Sequence, residues 1–359
     1  MTPSGENRTP LGEKLVRRIE NFGPITVADY MAACLGDPEF GYYMTREPFG
    51  TAGDFVTAPE VSQMFGELIG LWAVATWQRM GSPAAFVLAE IGPGRGTLMA
   101  DALRAARIAP NFEPAARIVL VETSPRLREI QARTLTGHAI DWAEQVDGLP
   151  DGPAILIANE FFDALPVRQF LRTGAGWAER MVGVSDGKLV FGLRPDAHVD
   201  GADDRAPEGS LVETASISAA IMATLATRLV QFGGAFLAID YGHAESGYGD
   251  TLQALRQHRF DAPLAHPGEA DLTVHVDFAA LARAARANGA TASAVWTQGD
   301  FLLALGLVER AGRLGAGKDA AAQDAIRAAV ERLAGPAAMG TLFKVLCVTG
   351  GDLLAPPFG

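Results

Sequence analysis

One segment narrows the fold before any other: Glu90-Ile91-Gly92-Pro93-Gly94-Arg95-Gly96. An acid and three alternating glycines close the apolar run Ala85–Ile91 and lead into a helical pattern over Thr97–Ala106. Glycines at such a turn admit positive φ and let a ligand approach the main chain with no Cβ in the way. The helix start offers unpaired N–H groups to polar parts of that ligand. A buried strand, this turn and a helix therefore predict an open α/β sheet with something cradled at a strand end.

The spacing selects among nucleotide ligands. A dinucleotide fingerprint needs G-x-G-x-x-G, but the positions where its last glycine would fall hold Thr97 or Met99. No G-x-x-x-x-G-K-[ST] loop is present, which excludes a P-loop. Glu90, just before the turn, suits the amino end of a zwitterionic ligand better than a phosphate. Glu122 ends the next apolar run, Arg117–Val121, where a carboxylate can accept both hydroxyls of a ribose. It lies farther from the turn than the roughly 20 residues usual for such an acid; the loop Ala109–Pro114 accounts for the difference. Taken alone, the turn is also a structural corner and Glu122 a solvated strand end.

Short apolar runs alternate with helical patterns from residue 85 onward, which predicts a parallel sheet. Ala154–Ala158 is a further strand, Val167–Arg172, Trp177–Val184 and Leu189–Arg194 form a meander with a hairpin turn at Ser185-Asp186-Gly187-Lys188, and Ala235–Ile239 returns to the sheet. Two late strands, Thr291–Trp296 and Thr341–Val348, fit the antiparallel last strand of methyltransferase sheets. Upstream, Leu11, Leu15, Ile19 and Phe22 share a helix face, Thr26 and Asp29 have capping-box spacing, and Thr57-Ala58-Pro59-Glu60 has it again. The expected organisation is an N-terminal helical cap over 1–80 and a core over 81–359, interrupted by a β-rich insert at about 167–212. Tyr42-Tyr43 and the Asp54–Glu60 loop are candidate lid residues.

At the tip of the fourth strand, methyltransferases acting on planar nitrogens carry Asn/Asp-Pro-Pro-aromatic. Here the position reads Asn159-Glu160-Phe161-Phe162-Asp163-Ala164-Leu165-Pro166. A neutral amine gains little from these acids, whereas a guanidinium gains a charge-assisted pair. Asn159, Glu160 and Asp163 are thus the candidate catalytic residues, with Phe161 and Phe162 expected to stack on the guanidinium plane. The plainer alternative has both rings in the core and Glu160 on a surface loop.

Bulk properties exclude other classes. A net charge of −12 counts against nucleic acid as the main partner. No apolar run of about 18 residues suggests a membrane span, and the first twenty residues resemble neither a signal peptide nor a presequence. Cys34 and Cys347 fit a reducing compartment, so a cytoplasmic protein is expected. His243, His258, His266 and His275 lack ligand spacing, so no metal is expected.

Beyond these readings, Gly41-Tyr42-Tyr43, Gly53–Ser62, Glu90–Leu98, Asn159–Pro166, Asp240-Tyr241-Gly242-His243 and Asp271–Phe278 resemble the MidA-like methyltransferases over nearly the whole chain. The resemblance implies a class I methyltransferase (Rossmann-like) fold and S-adenosyl-L-methionine as methyl donor. Gly92, Gly94 and Gly96 would line the donor, Glu122 would hold its ribose, and Asn159 and Glu160 would sit where donor and acceptor meet. It further implies symmetric dimethylation of an arginine in a protein substrate, a respiratory complex I subunit or its bacterial counterpart. A small-molecule N-methyltransferase and a non-catalytic complex I assembly factor that retains donor binding are the alternatives.

Overall fold

The computed structural model describes residues 9–46, 57–199, 202–203 and 205–358. They fall into two compact units: residues 9–46, 163–199, 202–203, 205–218 and 246–275 in one, and residues 57–162, 219–245 and 276–358 in the other.

The larger unit is built on a sheet whose central strands are β1 (Phe86–Ile91), β2 (Ala116–Val121), β3 (Ile140–Ala143), β4 (Ala154–Asn159), β5 (Gly234–His243) and β6 (Phe343–Thr349). Their spatial order is β3-β2-β1-β4-β5-β6, with Thr291–Ala292 beyond β6. The first five run parallel, whereas β6 is antiparallel to β5 in the register Ala235↔Thr349 to Tyr241↔Phe343. Both β1 and β4 are buried at every position, which is why they read as unbroken apolar runs rather than alternating ones. This is the class I methyltransferase sheet expected from the sequence. The expected strand Thr291–Trp296 is instead two short pieces, Thr291–Ala292 and Trp296–Thr297, both paired with β6. Ser293 interrupts them, its Oγ accepting the Cys347 N–H at 3.1 Å.

Helix Gln63–Arg79 crosses helix Thr97–Ala106 so closely that a Cβ on Gly70 would lie 2.4 Å from the Ala102 carbonyl oxygen. That contact braces the helix that starts at the glycine turn, and it assigns residues 63–79 to the larger unit. The smaller unit is a five-stranded sheet of Arg168–Thr173, Gly176–Ser185, Lys188–Arg194 and Leu211–Thr214 with Ile25–Thr26 paired to Val182 and Met181. The expected hairpin is present, with Asp186 and Gly187 both at positive φ, the signature of a type I′ turn. Helices Pro10–Phe22 and Val27–Gly36 pack Leu11, Leu15, Tyr30 and Met31 into this unit's core with Val182 and Leu189. Residues 253–273 contain a three-stranded sheet. These contact units thus divide the chain differently from a cap at 1–80 and an insert at 167–212. The cause is the pairing of Ile25–Thr26 across more than 150 residues, which no local periodicity reports.

Candidate active site

The site lies in the larger unit, at the carboxyl ends of β1, β2 and β4. Gly92, Gly94 and Gly96 have φ of +67°, +52° and +81°, the positive-φ backbone expected of the turn. Gly92 N–H donates to the Val121 carbonyl at 3.1 Å, fixing the turn to the end of β2. A Cβ on Gly92 would lie 2.8 Å from Cδ2 of Phe161, so this glycine is also needed for packing within the protein.

Helix Thr97–Ala106 has no side-chain cap, its N-cap being Gly96. Two carboxylates serve it instead. Glu90, 3% exposed, accepts the Met99 N–H, and burial pushes its carboxyl up to about 8. Thr97 Oγ1 donates to Glu60 Oε1 at 2.7 Å. Glu60 was expected to close a capping box with Thr57, but Thr57 makes no side-chain cap hydrogen bond. Local spacing is overridden because Glu60 finds Thr97, and the Ala58 N–H donates to Glu160 Oε1 at 2.9 Å. The segment 57–61 is therefore fastened to both the glycine turn and the β4 tip. Residues 54–56 of the candidate lid lie outside the described residues.

Glu122 stands just beyond β2, 9% exposed, with its carboxyl raised by burial against the N–H groups it accepts. Its Oε1 accepts Ser124 N–H at 2.8 Å and its Oε2 accepts Gln131 Nε2–H at 3.2 Å. The same Gln131 nitrogen donates to the Gly94 carbonyl at 2.8 Å, while Gln131 Oε1 accepts Trp142 Nε1–H at 2.9 Å.

At the β4 tip, Asn159 Nδ2 donates to Glu160 Oε1 at 2.9 Å, and Glu160 sits at φ +50°. A non-glycine residue there is strained; it is held by its N–H bond to the Ile239 carbonyl and its carboxylate bond to Ala58. Asp240, fully buried, accepts the N–H groups of Phe161, Phe162 and Tyr241 at 2.9–3.1 Å, so β5 shapes the backbone just past Glu160. The two rings meet edge-on, at 5.2 Å and 75°, and so share no single plane for a guanidinium. Phe162 is 2% exposed and packs edge-on against Phe236, and Phe161 is half-buried over Gly92. Asp163 belongs to the smaller unit, where its carbonyl accepts Val274 N–H. There, burial together with the nearby Asp271 and Asp163 carboxylates pushes the Tyr43 phenol well above its ordinary value, and Tyr43 donates to Asp271 at 3.1 Å.

Glu90 Oε2 and Asn159 Oδ1 are buried polar atoms with no hydrogen-bond partner among the described residues. Unmet acceptors of this kind are costly unless a ligand meets them. An orphaned carboxylate oxygen at a glycine turn and a buried carboxylate at the next strand end fit a ligand with an ammonium group and a ribose. Gln131 was missed by sequence reasoning and carried no signal, whereas Glu60 was read only as a capping and lid residue and Asp240 only as part of a strand-end motif.

Residues 68–295 match the family described as "Putative S-adenosyl-L-methionine-dependent methyltransferase". The protein arginine methyltransferase NDUFAF7 homolog, mitochondrial, of Drosophila melanogaster is 36% identical, covering 96% of this chain and 86% of that protein. Its Homo sapiens relative, also named as mitochondrial, is 38% identical over 85% of this chain and 75% of its own length. A crystal structure from Burkholderia thailandensis, bound to S-adenosyl-homocysteine, superposes with a TM-score of 0.82 at 30% identity, over 97% of this chain and 95% of that one. The expected cytoplasmic location is overturned by these mitochondrial relatives. Cysteine usage had no power to choose, since a reducing matrix tolerates the same free thiols.

Proposed function

Because the chain belongs to this family of S-adenosyl-L-methionine-dependent methyltransferases, we propose that it methylates arginine in a protein. More specifically, we propose symmetric dimethylation of an arginine on a subunit of respiratory complex I or of its bacterial counterpart. The methyl donor is S-adenosyl-L-methionine, which supplies an electrophilic methyl on a cationic sulfur. On this reading Glu90 takes the donor's amino group, Gly92, Gly94 and Gly96 give its backbone-facing surface room, and Glu122 accepts the ribose hydroxyls.

The observation that carries the acceptor assignment is Glu160, a carboxylate held by Asn159 and Ala58 on a strained backbone at the β4 tip. Such a group pairs with a guanidinium, which at a pKa of about 13.8 enters charged. Holding it aligns one nitrogen with the methyl carbon. As the N–C bond forms and the C–S bond breaks, the nitrogen's proton becomes acidic, and Glu160 is placed to receive it. Asn159 orients Glu160 through Nδ2 and offers Oδ1 to the incoming ligand. The relatives named as protein arginine methyltransferases support the same acceptor class.

Mass spectrometry of arginine methylation in cells with and without the gene tests this. The expected result is loss of one symmetric dimethylarginine on a respiratory subunit. An unchanged arginine methylome, with purified protein methylating only free arginine or another small cation, would overturn the protein-substrate assignment. Donor binding without any turnover would point to the assembly-factor alternative.

A further inference from the structure

Gln131 lies on helix Pro125–Thr134, outside both motifs that sequence reading assigns to the donor, yet it joins them. It is completely buried. Both hydrogens of its amide nitrogen are used, one on the Gly94 carbonyl at 2.8 Å and one on Glu122 Oε2 at 3.2 Å. Its amide oxygen accepts from Trp142 Nε1–H at 2.9 Å. The indole N–H can only donate, and the two opposing oxygens can only accept, so the network itself fixes which end of the amide is nitrogen. Its stem also packs against the turn: the Gln131 Cγ is 3.6 Å from where a Cβ of Gly96 would stand.

A glutamine satisfies three demands at once: two donors, one acceptor, and length enough to span from the helix to the turn. Glutamate at this position has no amide hydrogens and would set a second carboxylate against Glu122. Asparagine is one methylene short, and an apolar residue leaves Glu122 Oε2 without this donor. We infer that Gln131 is a positioning residue that holds the Glu122 carboxylate at a set distance from the glycine turn, so that the ribose of the donor is read by the 2′-hydroxyl as well as the 3′-hydroxyl. The inference rests on the proposed role of Glu122 at the ribose.

The test uses the full chain with two probes, S-adenosylhomocysteine and its 2′-deoxyribose analogue, and reads the ratio of their dissociation constants by calorimetry. The wild-type ratio is expected to be about 10- to 100-fold, the value of one hydroxyl hydrogen bond to a carboxylate. In Gln131→Met, which keeps the volume but removes the donors, the ratio falls to within about threefold, because the carboxylate is no longer aimed. A residue that merely supports the fold would weaken both probes equally and leave the ratio intact; that outcome overturns the proposal. Trp142→Phe, at a half-buried position, removes the N–H that orients Gln131 and is expected to give an intermediate ratio. Should Gln131→Met fail to melt cooperatively, an unchanged ratio in Trp142→Phe overturns the proposal on its own. Failure of the parent reading looks different: a wild-type ratio near one, unaltered in Glu122→Gln, would show that the ribose is held elsewhere.

Discussion

Glu90 supplies a prediction whose direction and size both follow from its surroundings. Its carboxyl is buried and pushed up to about 8 from an ordinary 4.5 by that burial, only partly offset by the Met99 N–H. In the donor-free protein it is therefore protonated at neutral pH. An ammonium group arriving beside it restores the advantage of the charged form, so binding expels a proton. The amine of S-adenosylhomocysteine belongs to a zwitterionic amino acid and stays cationic through pH 8. With Glu90 half-titrated near pH 8, affinity should rise about ninefold from pH 6 to 7 and about 50-fold from pH 6 to 8. It should fall only well above pH 8, as the ligand amine loses its proton. Calorimetry in two buffers of different ionisation enthalpy would read close to one proton released at pH 6.5 and proton uptake only well above pH 8. Glu90→Gln should abolish the rise and keep the fall. Flat affinity between pH 6 and 7.5, with no proton released, would refute the pairing of Glu90 with the amino group. The same carboxyl also affects donor-free stability. Its folded value exceeds its unfolded one, so its contribution is complete below about pH 4.5 and is lost as pH rises through about 8. At 1.36 kcal/mol per pH unit, the loss is at most about 5 kcal/mol. Glu90→Gln should therefore lose less stability than wild type between pH 7 and 9, as read by urea unfolding.

Three other substitutions probe neighbouring contacts. Glu160→Gln should lower kcat by about 100-fold or more while S-adenosylhomocysteine affinity stays within about threefold; equal losses in both would place Glu160 on the donor instead of the acceptor. Gly92→Ala puts a Cβ 2.8 Å from the Phe161 ring on a backbone at φ +67°, so its melting temperature should drop, and Phe161→Ala in the same chain should recover part of the drop. Absence of any recovery would mean that backbone strain alone sets the cost. Asp240→Asn removes the charge from an acceptor of three backbone N–H groups and should cost about 2–4 kcal/mol in urea unfolding; a change below about 0.5 kcal/mol would remove Asp240 as the support of the β4 tip.

What the sequence alone determined is local. The positive-φ glycines, the acid before them, the buried runs of β1, β2 and β4, the Asp186-Gly187 hairpin and the Thr26–Asp29 capping box all depend on backbone preferences within a few residues, and all are present in the structure. The antiparallel β6 was legible because a late apolar run after helical segments has few other places to go. Tertiary structure decided the rest, because the deciding partners are distant in sequence. Glu60 reaches Thr97 across 37 residues, Gln131 reaches Gly94 across 37, and Asp240 holds Phe161 across 79. The Thr57–Glu60 pattern shows the competition directly, since its local cap gives way to longer-range bonds that join it to the glycine turn and to Glu160. Phe162, read with Phe161 as an acceptor platform, is buried against Phe236 instead. Residue type and spacing announce a ligand at the glycine turn; which side chains aim the groups that hold it depends on contacts that exist only once distant helices and strand ends have come together.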